Sequence, residues 1–151
     1  MGIFNAMNVS SSALTAQRLR MDVASSNIAN AQSTRATVNA NGEYEPYRRK
    51  MVTFQSDQNS FRSFLHRAVH NKEVKTQGVK ASRIVEDETP FKLEYQPNHP
   101  DANDDGYVRL PNVDPLKEMV DIMSATRSYE ANVTSLNATK NMLLKALEIG
   151  R

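Results

Sequence analysis

The sequence predicts a mainly α protein of the α+β kind: two long terminal helices forming a coiled-coil-like pair, with a small β-rich region inserted between them. Three observations carry this. Residues from Met119 onward repeat apolar side chains in steps of three and four. The first thirty residues repeat the same period, and the middle changes to short strand-like runs broken by Pro, Gly and Asn. The expected organisation is a helix over 1–32, a β-rich middle over 33–111, and a helix over 112–151.

The C-terminal stripe runs Met119, Ile122, Thr126, Tyr129, Val133, Leu136, Lys140, Leu143 and Leu147. This is an a/d heptad seam over four heptads, with polar residues on the other faces. Asp114-Pro115 opens it as an N-cap followed by proline at the first helical position, and Gly150 closes it. Acidic Asp114, Glu118 and Asp121 lie early and Lys140, Lys145 and Arg151 late, matching the helix dipole. A helix of roughly 35 residues spans about 50 Å, longer than a compact domain of this size requires. Its narrow seam calls for a partner helix.

The N-terminal stripe places Met7, Leu14, Met21 and Ile28 seven apart, with Ser10, Gln17, Ala24 and Ala31 between them. Small and polar residues pack closely but bury little area, so this helix is marginal alone. Asn27 and Asn30 are expected as buried amides that set register, as one polar residue does in a coiled coil. Arg127 and Glu130 flank Tyr129 and are candidates for polar contacts between subunits.

In the middle, 32–42 reads as a loop, 44–54 as a strand with Pro46 at an edge, and 61–69 as a short amphipathic helix. Strands are expected at 79–85, at 91–95 with Phe91, Leu93 and Tyr95 inward, and at 107–110.

Composition excludes several classes of function. The 151 residues hold 19 basic and 17 acidic side chains, for a net charge of +2. That is too near neutral to imply nucleic acid or an anionic membrane as partner. Residues 1–32 carry +1, and the C-terminal helix balances five against five. There is no cysteine, so there is no disulfide, thiolate catalysis or Cys-based metal site. No apolar run reaches the roughly 18 residues of a membrane span. The N-terminus shows neither the basic nor the continuous apolar region of a cleaved signal peptide.

Candidate sites for chemistry are weak. Asp101-Ala-Asn103-Asp-Asp105-Gly106 begins like a calcium loop, but its twelfth position is Asn112 instead of Glu. His66 and His70 have zinc-ligand spacing without the glutamate or a third ligand. Arg48-Arg49-Lys50 beside Tyr44, Tyr47 and Phe54 reads better as a charged edge strand than as a nucleic-acid patch. With five glycines there is little from which to build a phosphate loop. No catalytic residue, metal or cofactor is expected.

Two stretches carry a resemblance. Ser25-Ser26-Asn27-Ile28-Ala29-Asn30-Ala31 resembles the "NNIANxxT" motif of bacterial flagellar axial proteins of the rod and hook. The run PNVDPLKEMVDIMSATRSYEANVTSLNATKNMLLKALEIG, with the preceding HPDANDDGYVRL and the earlier PYRRKMVTFQ, is similar to the flagellar basal-body rod proteins. The likeness covers nearly the whole chain, and it makes the acidic turn a family feature.

The resemblance implies a structural subunit of the proximal rod, exported by the flagellar type III apparatus without a cleaved signal. It implies assembly with itself and with other rod proteins into a helical tube beyond the cytoplasmic membrane, which transmits torque and encloses the export channel. Neither nucleic acid nor direct membrane insertion is implied. The alternative left open by the residues is a secreted coiled-coil effector or adhesion module that binds a partner helix.

Overall fold

A computed structural model describes residues 3–39, 42–56, 65 and 78–149. The elements are α1 (Ile3–Ala29), β1 (Thr37–Val38), β2 (Tyr44–Glu45), β3 (Lys50–Ser56), β4 (Val79–Glu86), β5 (Lys92–Tyr95), β6 (Tyr107–Leu110) and α2 (Pro115–Ile149). The expected architecture of two long helices around small strand pairs is what is found. The helix expected at 61–69 lies outside the described residues except for Leu65, and so do His66 and His70.

The chain divides into two compact units. One comprises the described residues of Arg20–Val52 and Ile84–Met123; the other comprises those of Met1–Leu19, Thr53–Arg83 and Ser124–Arg151.

In the first unit, β1 and β2 form an antiparallel hairpin with Thr37 opposite Glu45 and Val38 opposite Tyr44. It closes near Gly42, whose φ of 82° is a conformation only glycine adopts freely. The strand expected over 44–54 is interrupted at 46–49. Pro46 has no N–H to donate to a ladder. The chain turns inward there instead, burying Pro46 and Tyr47, with the Tyr47 N–H on the Ser33 carbonyl at 3.1 Å.

β5 and β6 form a second antiparallel hairpin, pairing Leu93 with Arg109 and Tyr95 with Tyr107. Opposed residues share a face, so Leu93, Tyr95, Tyr107 and Arg109 lie on one side and Val108 on the other. Val108 is wholly buried, whereas Leu93 and Tyr95 are 65% and 63% exposed. This corrects the expectation that Leu93 and Tyr95 point inward. Alternation tells which side chains share a face, and the hairpin is covered only on the Val108 side. The core of this unit is Ala24, Tyr47, Val108, Pro111 and Val113, with Asn27 and Glu118 buried among them.

Among the described residues of the second unit, Ala16 of α1 and Ala125 of α2 are the buried apolar ones. The Ser12 hydroxyl accepts the Val79 N–H at 3.1 Å and donates to the Val9 carbonyl at 2.7 Å. A Cβ at Gly78 would stand 2.5 Å from Ser12 Oγ, so only glycine lets this approach occur. β3 and β4 pair with each other, and the Thr53 hydroxyl adds a bond of 3.0 Å to the Arg83 carbonyl.

Candidate functional site

The start of α2 is fixed locally. Asp114 caps it through a side-chain oxygen that accepts the Leu116 N–H at 3.1 Å, and Pro115 takes the first helical position. The Glu118 N–H closes the first turn on the Asp114 carbonyl. The preceding Asn112 pins the approach: it accepts the Arg49 N–H at 2.8 Å and donates to the Asp87 carbonyl and to Thr89.

This geometry aims Glu118 at Asn27 of α1. Asn27 Nδ2 donates to Glu118 Oε2 at 2.9 Å and to the Lys50 carbonyl at 2.8 Å. Asn27 Oδ1 accepts the Lys50 N–H and the Tyr47 hydroxyl, both at 3.0 Å. All four hydrogen-bonding positions of the amide are used, which is what permits it to sit 1% exposed.

Glu118, 2% exposed, has its other oxygen on Arg49 Nε at 2.6 Å. Arg49 also reaches Asp87 at 3.5 Å and Asp121 at 3.8 Å, and Asp121 accepts from Arg20 of α1 at 2.5 Å. Burial works against the charged form of Arg49, but the Glu118 bond and charge, followed by Asp87, outweigh it and hold its pKa above the ordinary value. The Thr89 N–H lowers the Asp87 pKa most, opposed by burial and helped by the Thr89 hydroxyl and Arg49. Two guanidinium groups, Arg49 and Arg20, three carboxylates and the Asn27 amide thus join α1, the start of β3, the segment after β4 and α2. A desolvated guanidinium–carboxylate pair needs its remaining groups partnered, and here both Glu118 oxygens are hydrogen-bonded while Arg49 faces two further carboxylates at ion-pair distance.

The other sequence candidates are spent inside the chain. Asp101 of the acidic turn accepts from the Thr34 hydroxyl at 2.7 Å and from Arg35, and Arg35 is the first cause of its lowered pKa. Both carboxylate oxygens therefore face this chain's own donors. No cluster of three or more metal-ligating side chains occurs among the described residues. In the basic run, Arg48 stacks over Phe91 at 4.5 Å, Arg49 serves Glu118, and Lys50 lies 5.6 Å from the Tyr47 ring.

Of the expected seam, Met7, Leu14, Met21 and Ile28 are half-buried on α1, as are Ile122, Tyr129, Val133, Leu136 and Leu143 on α2. Met119 and Leu147 are 52% and 70% exposed, and Arg127 and Glu130 are exposed. Asn30 differs from the buried amide expected of it. It is half-buried and bonds locally, donating to the Ser26 carbonyl and accepting from Ser33. The most buried line of α2 passes through Glu118 and Ala125, one residue before Met119 and Thr126. Sequence reasoning missed Glu118, Arg49 and Asn112 because each has an ordinary surface explanation. The available signal was three carboxylates in the first two turns of α2 facing an otherwise weak Asn-containing helix.

The comparisons with known proteins agree along the chain. Residues 7–37 match the family model described as flagella basal body rod protein, and 104–149 match that for the flagellar basal body rod FlgEFG protein C-terminal. The flagellar basal-body rod protein FlgC of Bacillus subtilis is 60% identical over 151 residues, covering all of both chains. The chain belongs to the FlgC family. The FlgC of Salmonella typhimurium is 41% identical over the full length of both, and that of Borreliella burgdorferi is 41% identical over 99% of this chain and 98% of its own. As a FlgC-family member it is a structural protein of the flagellar basal-body rod and works in assembly with other rod components. The two family models cover α1 from residue 7, strand β6 and the whole of α2, so Asn27 and Glu118 both fall within matched residues.

Proposed function

We propose that this chain polymerises through its two terminal helices into the helical tube of the proximal rod, where it transmits motor torque and helps to enclose the export channel. The observation that carries this reading is α2, which runs for 35 residues while Met142, Leu147 and Ile149 in its last turns stay largely exposed. Large apolar side chains left this exposed on more than one side of the helix end fit a helix that is completed by neighbours. On this reading the seam of Met7, Leu14, Met21 and Ile28 with Ile122, Tyr129, Val133, Leu136 and Leu143 supports assembly, with Met119, Leu147, Arg127 and Glu130 meeting other subunits.

Export by the flagellar type III apparatus without a cleaved signal fits α1. Among the described residues, those it buries are Ala16, Ala24 and Asn27, too small or too polar to order the helix by themselves. Such a segment travels unfolded and recovers its ordering entropy on assembly. The chain then acts beyond the cytoplasmic membrane as a purely structural element without catalysis or cofactor. No described helix is long and apolar enough to cross a membrane.

The test is deletion of the gene with rescue by the wild-type copy, read by electron microscopy and swimming. Bald, non-motile cells restored by the wild type support the reading. Normal flagella in the deletion strain overturn it.

A further inference from the structure

A cavity of about 390 Å³ opens in the first unit, beside the β1–β2 hairpin and the turn that joins β5 to β6. Its size lies within the roughly 300–1,000 Å³ of small-molecule sites. The Arg35–Asp101 ion pair lies along it, and the Thr34 hydroxyl donates to the other Asp101 oxygen at 2.7 Å. Glu43, Asn103 and Arg109 also line it, and their side chains make no hydrogen bond or ion pair among the described residues. Tyr44 supplies an apolar wall. Arg35 lies over its ring at 5.3 Å, and the residue is still 62% exposed.

The charges of this cavity cancel. The guanidinium groups of Arg35 and Arg109 are balanced by the carboxylates of Glu43 and Asp101. Neither an anion nor a cation gains a net attraction from such a set. What remains is short-range: Glu43 accepts, Arg109 donates, and the Asn103 amide does both. A hydroxyl also donates and accepts, so a rigid ring bearing several hydroxyls satisfies all three side chains at once. The C–H face of such a ring is apolar and suits the body of a tyrosine.

The open face of the β5–β6 hairpin continues the site. Arg109 shares that face with Leu93, Tyr95 and Tyr107. Tyr107 stands two residues from Arg109, about 7 Å along the strand. Its ring meets Tyr95 edge-on at 5.3 Å, and the two residues are 44% and 63% exposed. A ligand longer than one ring thus leaves the cavity onto a tyrosine ledge.

We infer that this cavity and ledge bind a neutral oligosaccharide, with one unit held by Glu43, Asn103 and Arg109 against Tyr44 and the next laid on Tyr107. An extended peptide suits the cavity less. Peptides are held by an open strand edge and by pockets for alternate side chains, whereas charged and amide groups wall this cavity.

The test is made on the purified full-length chain, isotope-labelled for amide NMR. It is titrated separately with tri-N-acetylchitotriose, with maltotriose and, as an anion, with inorganic phosphate. The expected result is that at least one trisaccharide moves the amide signals of Tyr44, Asn103 and Tyr107 to saturation while phosphate leaves them in place. The trisaccharide that binds tells an N-acetylated glycan from a plain glucan. Tyr44→Ala and Asn103→Ala alter exposed side chains, so each is expected to melt as the wild type does and to weaken the sugar about ten-fold.

Saturation by phosphate with neither sugar makes this an anion site and overturns the assignment. So do an absence of saturable shifts with both trisaccharides, and shifts confined to residues outside the cavity and ledge. Sugar binding unchanged in both variants overturns it too. The titration is made on the free chain, so its failure leaves the rod reading in place, and gene deletion tests that reading separately.

Discussion

Asn27 Nδ2 and Glu118 Oε2 meet at 2.9 Å between the two long helices, each residue almost wholly withdrawn from solvent. The helices of this unit are thus joined by hydrogen bonds at a place where the apolar core is thin. A carboxylate buried this deeply is tolerated because Arg49 neutralises it and Asn27 occupies its second oxygen.

Asn27→Ala removes all of this from one side. It removes the bonds that Asn27 makes to the Lys50 N–H and carbonyl, and it strips one bond from Glu118 and one from Tyr47. Losing two buried and two part-buried hydrogen bonds is expected to cost about 3 kcal/mol. The denaturant midpoint of the purified chain checks this, and a change below about 0.5 kcal/mol would mean that water replaces the amide at no cost.

Glu118→Gln keeps the shape and deletes the charge, leaving a donor NH2 facing either Arg49 or Asn27. The expected loss is again about 3 kcal/mol, and the double variant Glu118→Gln with Arg49→Met loses less than the sum of the two singles. Strict additivity in that cycle would show that the two residues do not interact.

Gly106 and Gly42 both have φ near +80°, but their surroundings differ. A Cβ at Gly106 would stand 2.9 Å from Tyr95 Cε2 and 3.4 Å from Pro97 Cβ, whereas nothing lies within 4 Å at Gly42. Gly42→Ala carries only the left-handed backbone penalty of about 1 kcal/mol. Gly106→Ala adds the clash with the ring that packs edge-on against Tyr107, so it is expected to lower the melting temperature more. Equal shifts would refute the steric part.

The helices were legible in sequence because their signals are periodic and capped: Asp114-Pro115 begins α2 where it was expected, and the seven-residue spacing of Met7 to Ile28 marks α1. What escaped was depth. Met119 and Glu118 are adjacent, and hydropathy alone sends methionine inward. The reverse occurs because Glu118 meets an amide and a guanidinium that are 91 and 69 residues away in sequence. Leu93 and Tyr95 were misread for a related reason: alternation cannot say which face of a hairpin another element covers. Arg49 was unreadable because a three-residue basic run gives no sign that its middle member is the one that meets a buried carboxylate.

Acid sensitivity follows from Asp87. The Thr89 N–H, followed by the Thr89 hydroxyl and Arg49, holds its folded pKa below the ordinary 3.8. A depressed folded value contributes stability that is complete above the unfolded pKa and is lost as pH falls through the folded one. Thermal stability should therefore fall as pH drops from about 5 to about 3, and Asp87→Asn should flatten that fall while lowering stability near neutrality. Asp101, lowered by Arg35, contributes to the same limb, so the flattening is partial. Parallel curves for wild type and Asp87→Asn would rule out this linkage.

Leu136 and Leu147 separate folding from assembly. Leu136 is half-buried in its own chain, so Leu136→Asp is expected to lower the stability of the free protein and to abolish rod assembly. Its phenotype alone cannot tell the two effects apart. Leu147 is 70% exposed, and a charge there meets water in the isolated chain. Leu147→Asp should therefore leave stability within about 0.5 kcal/mol of wild type, as surface changes do. In a rod whose α2 helices are covered by neighbours the same charge becomes buried and unpaired, and swimming should be lost. A Leu147→Asp strain that swims normally would place the end of α2 outside the subunit contacts and confine the assembly seam to earlier turns.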